Sequence, residues 1–296
     1  MAAASVVTQS ASRPARDDGV RVVVVGKGGV GKSTLTAMLA RTMARRGASV
    51  LAVDADEQRN LGSTLGLDAA TLAAIVPLAA NADYVEEKTG ARPGEGAGAM
   101  LRLNPNTSDV VDRLSTEAPD GVRLLVMGGV ARAGGGCLCP ENALLAAAIS
   151  NMRLRRGEVV LMDTHAGVEH FGRALARGFD RALVVVEPTL NSVQVGLETA
   201  HLARDLGIGT IDLVVNQCRS RNDRSRALGH VERLGGFGFD SISEIAFDEV
   251  ALTVEPSIGE LLDDSLLAAG VRELSDLLLG THSNQAEGLV AVLGAG

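Results

Sequence analysis

Lys27 and Lys32 are two of only three lysines in a chain that otherwise draws its positive charge from arginine, and both lie in one glycine-rich run. Two compact ammonium groups in a single loop point to phosphate chemistry. The run Gly26-Lys27-Gly28-Gly29-Val30-Gly31-Lys32-Ser33-Thr34 satisfies the pattern G-x-x-x-x-G-K-[ST]. Such a loop turns backbone N–H groups onto phosphate oxygens, and the helix that follows adds its positive end. Lys32 then reaches the β- and γ-phosphates while the Ser33 hydroxyl ligates Mg²⁺. The same glycines, Gly26, Gly28 and Gly31, also spell the dinucleotide fingerprint G-x-G-x-x-G, with Asp54 near the place of a ribose-binding acid. That fingerprint has no need of Lys-Ser-Thr after its last glycine. ATP with Mg²⁺ is therefore the preferred ligand.

Other residues could complete the chemistry. Asp54-Ala55-Asp56 follows the second apolar run, and Asp163 ends the fourth. Carboxylates at strand ends facing a phosphate loop can hold metal-bound water or orient an attacking water. Taken singly, each would more often be a turn or helix cap. Asn216 closes Leu213-Val214-Val215-Asn216 and, read alone, fits a turn after a strand. Cys137 and Cys139 form a C-x-C in a Gly- and Pro-flanked stretch. In an extended segment the two thiols fall on the same side, but a soft-metal site wants about four ligands. A symmetric dimer would bring two pairs together, suiting tetrahedral Zn²⁺ or square-planar Ni²⁺. The competing readings are packed small residues or a redox-labile thiol pair. Cys218 stands alone and is expected to be buried.

The elements that must position these residues are legible as short β-branched runs. They are Val22–Val25, Val50–Val53, Leu124–Met127, Val159–Met162, Leu183–Val186 and Ile211–Val215. Continuous apolarity suits strands buried on both faces, as in a parallel sheet. Helical stretches lie between them; Ser33–Arg46 carries Leu35, Met38, Leu39 and Met43 on one stripe and stops at Gly47. The expectation is an α/β fold with a single doubly wound, mostly parallel sheet flanked by helices. Residues 1–20 read as a disordered arm, 21–280 as one ATPase domain with an irregular excursion at about 68–121, and 281–296 as a flexible tail.

Lys27 narrows the family. A lysine directly after the first glycine resembles the deviant Walker motif of the MinD/ParA/nitrogenase-iron-protein class of P-loop ATPases. The resemblance implies that Lys27 contacts the nucleotide of a partner subunit, and hence a homodimer closing around ATP. It also implies that Asp56 positions the attacking water, that Asp163 meets Mg²⁺ through water, and that Gly167 is a flexible switch near the γ-phosphate. Asn216 would hydrogen-bond adenine, and Glu187-Pro188-Thr189 matches the base-side loop of the class. His165 departs from it, standing where an acid is expected in a D-x-E-A-G switch. The stretches GGGCLCPENALL, EEKTGARPGE, LNPNTSDVVD and AGVEHFGR, with VVEP, are similar to the CooC-type nickel-insertion accessory ATPases of carbon monoxide dehydrogenase. That likeness implies Ni²⁺ or Zn²⁺ at Cys137 and Cys139 between subunits and a nickel-dependent client enzyme. His170 fits the E-H pair of that family as an interface or packing residue.

Composition bounds the alternatives. At 296 residues, 46% hydrophobic and 2% aromatic, the core must be built from Val, Leu, Ile and Ala. A net charge of −8 argues against broad capture of DNA or anionic lipid, and the arginines of the 219–226 stretch read as a solvated loop. Three cysteines make no disulfide framework, so a reducing, cytoplasmic setting is expected. No apolar run approaches the roughly 18 residues of a membrane span. Positioning on DNA or membrane, in the manner of MinD or ParA, and nucleotide-gated metal carriage with little hydrolysis are the rival functions.

Overall fold

The structure is a computed structural model that describes residues 19–90, 92, 109–128, 139–165 and 178–280. Apolar runs with helices between them become eight strands of one sheet. In chain order these are β1 (Val20–Gly26), β2 (Ser49–Ala55), β3 (Ser115–Glu117), β4 (Arg123–Val126), β5 (Glu158–Thr164), β6 (Arg181–Val186), β7 (Thr210–Cys218) and β8 (Ser241–Ala246). The spatial order is β3-β4-β2-β5-β1-β6-β7-β8, parallel throughout except where β3 runs antiparallel to β4.

The helices are α1 (Lys32–Arg45), α2 (Leu61–Leu65), α3 (Ala69–Ala74), α4 (Ala82–Thr89), α5 (Val110–Leu114) and α6 (Cys139–Asn151), then α7 (Leu190–Asp205), α8 (Asp223–Arg233), α9 (Val250–Thr253), α10 (Leu261–Asp264) and α11 (Leu266–Leu279). Alternate residues of the central strand feed two cores. Val22 and Val24 pack under α1 and α11, whereas Val23 and Val25 pack with residues of α6 and α7. Burial on both faces explains the unbroken valine run of β1. The stripe expected on α1 is the buried one: Leu35, Met38, Leu39 and Met43 are all at most 3% exposed.

Four features differ from expectation. Val20 already belongs to β1, so the domain starts inside the supposed arm; residues 1–18 and the tail 281–296 lie outside the described residues. Strands β3 and β8 had no apolar signature, because both are edge strands with one side open to solvent. The stretch expected to hold a helix or two and then an irregular excursion holds three helices, α3, α4 and α5, and the strand β3 in its described parts. Cys139 is the first residue of a helix rather than part of an extended segment, and Cys137 lies outside the described residues.

The third lysine is accounted for by packing. Lys88, on α4, forms an ion pair with Asp109 at 3.0 Å and stands over the Tyr84 ring, whose hydroxyl donates to the same carboxylate. That knot ties α4 to the start of α5.

At the edge of the sheet opposite the phosphate loop, Asp212 is fully buried. It is held by Arg181 Nε at 2.8 Å and by the Ser241 hydroxyl, which donates at 2.6 Å. Burial pushes its pKa upward, and Arg181 is what keeps the charge tolerable. Removing one member of a buried pair leaves an uncompensated charge, at a cost of about 3–5 kcal/mol. Arg181→Ala should therefore lower unfolding free energy by about 3 kcal/mol in urea titration. Nucleotide affinity should be unchanged, and Arg181→Ala with Asp212→Ala should recover much of the loss.

Candidate functional site

Every sequence-predicted phosphate contact sits where β1 stops and α1 starts. At Gly26 the backbone has φ 145°, and a Cβ would lie 2.2 Å from the Val185 carbonyl oxygen of β6, so only glycine fits. Gly29 and Gly31 are left-handed at φ 83° and 88°. Gly31 is the N-cap of α1, whose first turn carries no acid, leaving the positive helix end open to an anion. Val30 is buried and anchors the loop tip, while Gly28, Gly29, Gly31, Lys32, Ser33 and Thr34 line the cleft. Lys32 is 7% exposed and its ammonium donates to the Lys27 carbonyl at 3.1 Å. Burial lowers its pKa, and Asp163 and then Asp56 oppose that shift.

Parallel pairing places Asp54 of β2 directly beside Asp163 of β5. Their roles separate. Asp54 accepts from the backbone N–H of Asp56 and of Leu61, each at 3.1 Å, so it caps the turn into α2. Desolvation, followed by the charge of Asp163, lifts its pKa to about 7. Asp163 is fully buried and lifted to about 6, again by desolvation first. The Ser33 hydroxyl and Lys32 ammonium stand near enough to hold that value down. Neither oxygen of Asp163 makes a hydrogen bond among the described residues. A buried carboxylate beside a Ser33 hydroxyl fits hydrated Mg²⁺, a hard cation that prefers oxygen and keeps several waters. Asp56 lines the cleft, where its carboxylate accepts from the Gln58 N–H at 2.8 Å.

The cleft has a volume of about 620 Å³. Its second wall escaped sequence reading. Residues of the α2 entry (Gln58, Asn60, Ser63) and of the segment after β8 (Phe247, Leu252, Pro256) line it. The latter mix polar and apolar residues without periodicity, so nothing in the string marks them. Asn216, near the end of β7, is 5% exposed; its Nδ2 donates to the Val30 carbonyl at 2.7 Å, and its Oδ1 is buried with no partner among the described residues. That free acceptor suits the amino group of a purine. His165 lines the cleft, whereas Glu187 and Pro188 do not; the N–H of Glu187 instead donates to Ser192 in the first turn of α7. Gly167 and His170 lie outside the described residues. Cys218 is buried as expected, and burial pushes its thiol up to about 12, away from the reactive thiolate. Among the described residues no group of three or more His, Cys, Asp or Glu could hold a metal.

The CobQ/CobB/MinD/ParA nucleotide binding domain matches residues 22–253. The chain belongs to that family. It is an ATPase of the CooC type: it is 39% identical to the carbon monoxide dehydrogenase accessory protein CooC of Rhodospirillum rubrum over 79% of this chain and 89% of that one. An uncharacterized ATP-binding protein of Methanocaldococcus jannaschii is 36% identical over 69% of this chain and 77% of its own length. The crystal structure of the Pyrococcus furiosus cell division ATPase MinD shares the fold, with a TM-score of 0.63 at 20% identity, covering 90% of this chain and all of that one.

Family membership gives the acid pair a testable signature. Both carboxyls have folded pKa values, about 7 and about 6, above the ordinary 3.8. The folded state therefore binds more protons than the unfolded state between those limits. The stability this confers is present in acid and is lost as pH rises through the folded values. Without nucleotide, unfolding free energy should fall from about pH 4 to pH 8. In Asp163→Asn the fall should be shallower by about 3 kcal/mol, because a shift from 3.8 to about 6 is removed at about 1.4 kcal/mol per pKa unit. Equal slopes in urea titrations of the two proteins would contradict this assignment.

Proposed function

We propose that the chain is an ATP-dependent metallochaperone. It dimerises around ATP–Mg²⁺ and couples hydrolysis to delivery of nickel, or a related soft metal, into a metalloenzyme. Carbon monoxide dehydrogenase is the client suggested by the name of the CooC relative. The observation that carries the reading is one chain holding both the two-lysine phosphate loop and the pair Cys137 and Cys139.

In this reading Lys32 and the N–H groups of the loop hold the β- and γ-phosphates; Ser33 and, through water, Asp163 would hold Mg²⁺, which would supply charge neutralisation on the transferring phosphoryl group. Asp56 orients the attacking water, and Lys27 reaches the phosphates of the partner subunit. Asn216 holds the base through Oδ1. Two thiolates per subunit supply four to a shared metal, which is cargo rather than a resident cofactor. Among the described residues no helix is long and apolar enough to cross a membrane. The reading involves neither membrane nor nucleic acid and places the protein in the cytoplasm, where thiols stay reduced.

Metal stoichiometry and native mass, measured with and without ATP, test it. The wild type should carry one Ni²⁺ or Zn²⁺ per dimer, and Cys137→Ser should carry none while still binding MgADP. Undiminished metal in Cys137→Ser would remove the cysteine site. A wild type that stays monomeric with ATP and metal would remove the dimer.

A further inference from the structure

Along a strand, consecutive side chains leave on opposite faces. Residues 216 and 217 break that rule, and both reach the same loop. Asn216 Nδ2 donates to the Val30 carbonyl at 2.7 Å, and Gln217 Nε2 donates to the Gly29 carbonyl at 3.2 Å. The backbone makes this possible. Gln217 has φ 58°, in the left-handed region that residues with a Cβ seldom adopt, and the pairing of β7 with β8 shifts register between Val215 and Cys218.

The two contacts fall on successive peptide planes. In a trans peptide the C=O and N–H point in opposite directions. Holding the Gly29 oxygen toward β7 therefore turns the Val30 N–H away from it, and holding the Val30 oxygen does the same for the Gly31 N–H. Gly29 and Gly31, free of a Cβ, would otherwise let these planes rotate. We infer that Gln217 is a positioning residue of the phosphate loop: together with Asn216 it fixes two adjacent peptide planes so that the N–H groups of Val30 and Gly31 converge on the nucleotide's phosphates. Asn216 alone holds one plane. The unusual backbone at 217 is what brings the second carboxamide round. Such pre-orientation spares the loop an ordering step when the anion arrives. The inference rests on the loop binding ATP, and is independent of the dimer and of the metal.

Two variants test it. Gln217→Met keeps the side-chain length but cannot donate, and Gln217→Gly also relaxes the left-handed backbone. Both should weaken MgADP binding about 3- to 10-fold, the worth of one hydrogen bond. Adenosine affinity, measured by competition against a fluorescent ADP, should stay at the wild-type value, because adenosine lacks the phosphates the loop holds. A role confined to stability would leave this split absent and would be relieved in the glycine variant. Unchanged MgADP affinity in both variants would overturn the inference, as would equal losses for ADP and adenosine. A wild type that fails to bind MgADP would overturn the nucleotide site itself and the inference with it.

Discussion

One lysine and three carboxylates converge at the carboxyl ends of β1, β2 and β5, and the charge balance of that crevice governs the rest of the site. Lys32 is buried, Asp54 and Asp163 stand side by side, and Asp56 completes the group. Burial raises the cost of every charge there. Asp54 is satisfied by two backbone donors, and Lys32 by a carbonyl. Among the described residues, neither oxygen of Asp163 makes a hydrogen bond. The crevice thus suits a hard cation on the acid side and a polyphosphate on the lysine side. Binding both together neutralises what the fold has left unbalanced.

The sheet order makes the crevice possible. β1 lies between β5 and β6, and the chain passes from β1 to β2 on one side before returning to β6 on the other. In open α/β sheets this change of direction opens a cleft beyond the carboxyl ends of the strands. The phosphate loop, the acid pair and Asn216 all sit on that edge. Arg181 and Asp212 stabilise the opposite edge, so stability and chemistry are carried by different ends of the same strands.

The phosphate loop was legible because its spacing is dictated by backbone geometry that only glycine satisfies, as the 2.2 Å approach at Gly26 shows. The central strands were legible because burial on both faces forces continuous apolarity. Edge strands β3 and β8 lack that pressure and left no signal. Asp54 and Asp163 look alike in the string, and only the direction of the backbone donors separates a cap from a carboxylate without partners. Glu187 and Pro188 do not line the cleft, whereas the segment after β8 does, brought there by the pairing of β7 with β8. Gln217 could not be found by alternation, because its position depends on breaking it.

In the proposed function Lys27 turns this crevice into half of a two-subunit site. Steady-state ATP turnover per subunit, followed against protein concentration in the wild type and in Lys27→Ala, tests it most directly. Wild-type turnover should rise with concentration as subunits pair. Lys27→Ala should lose at least about tenfold, the scale of a displaced charge on a transferring phosphoryl group, while keeping its affinity for MgADP. Turnover that is independent of concentration and unchanged in Lys27→Ala would contradict it.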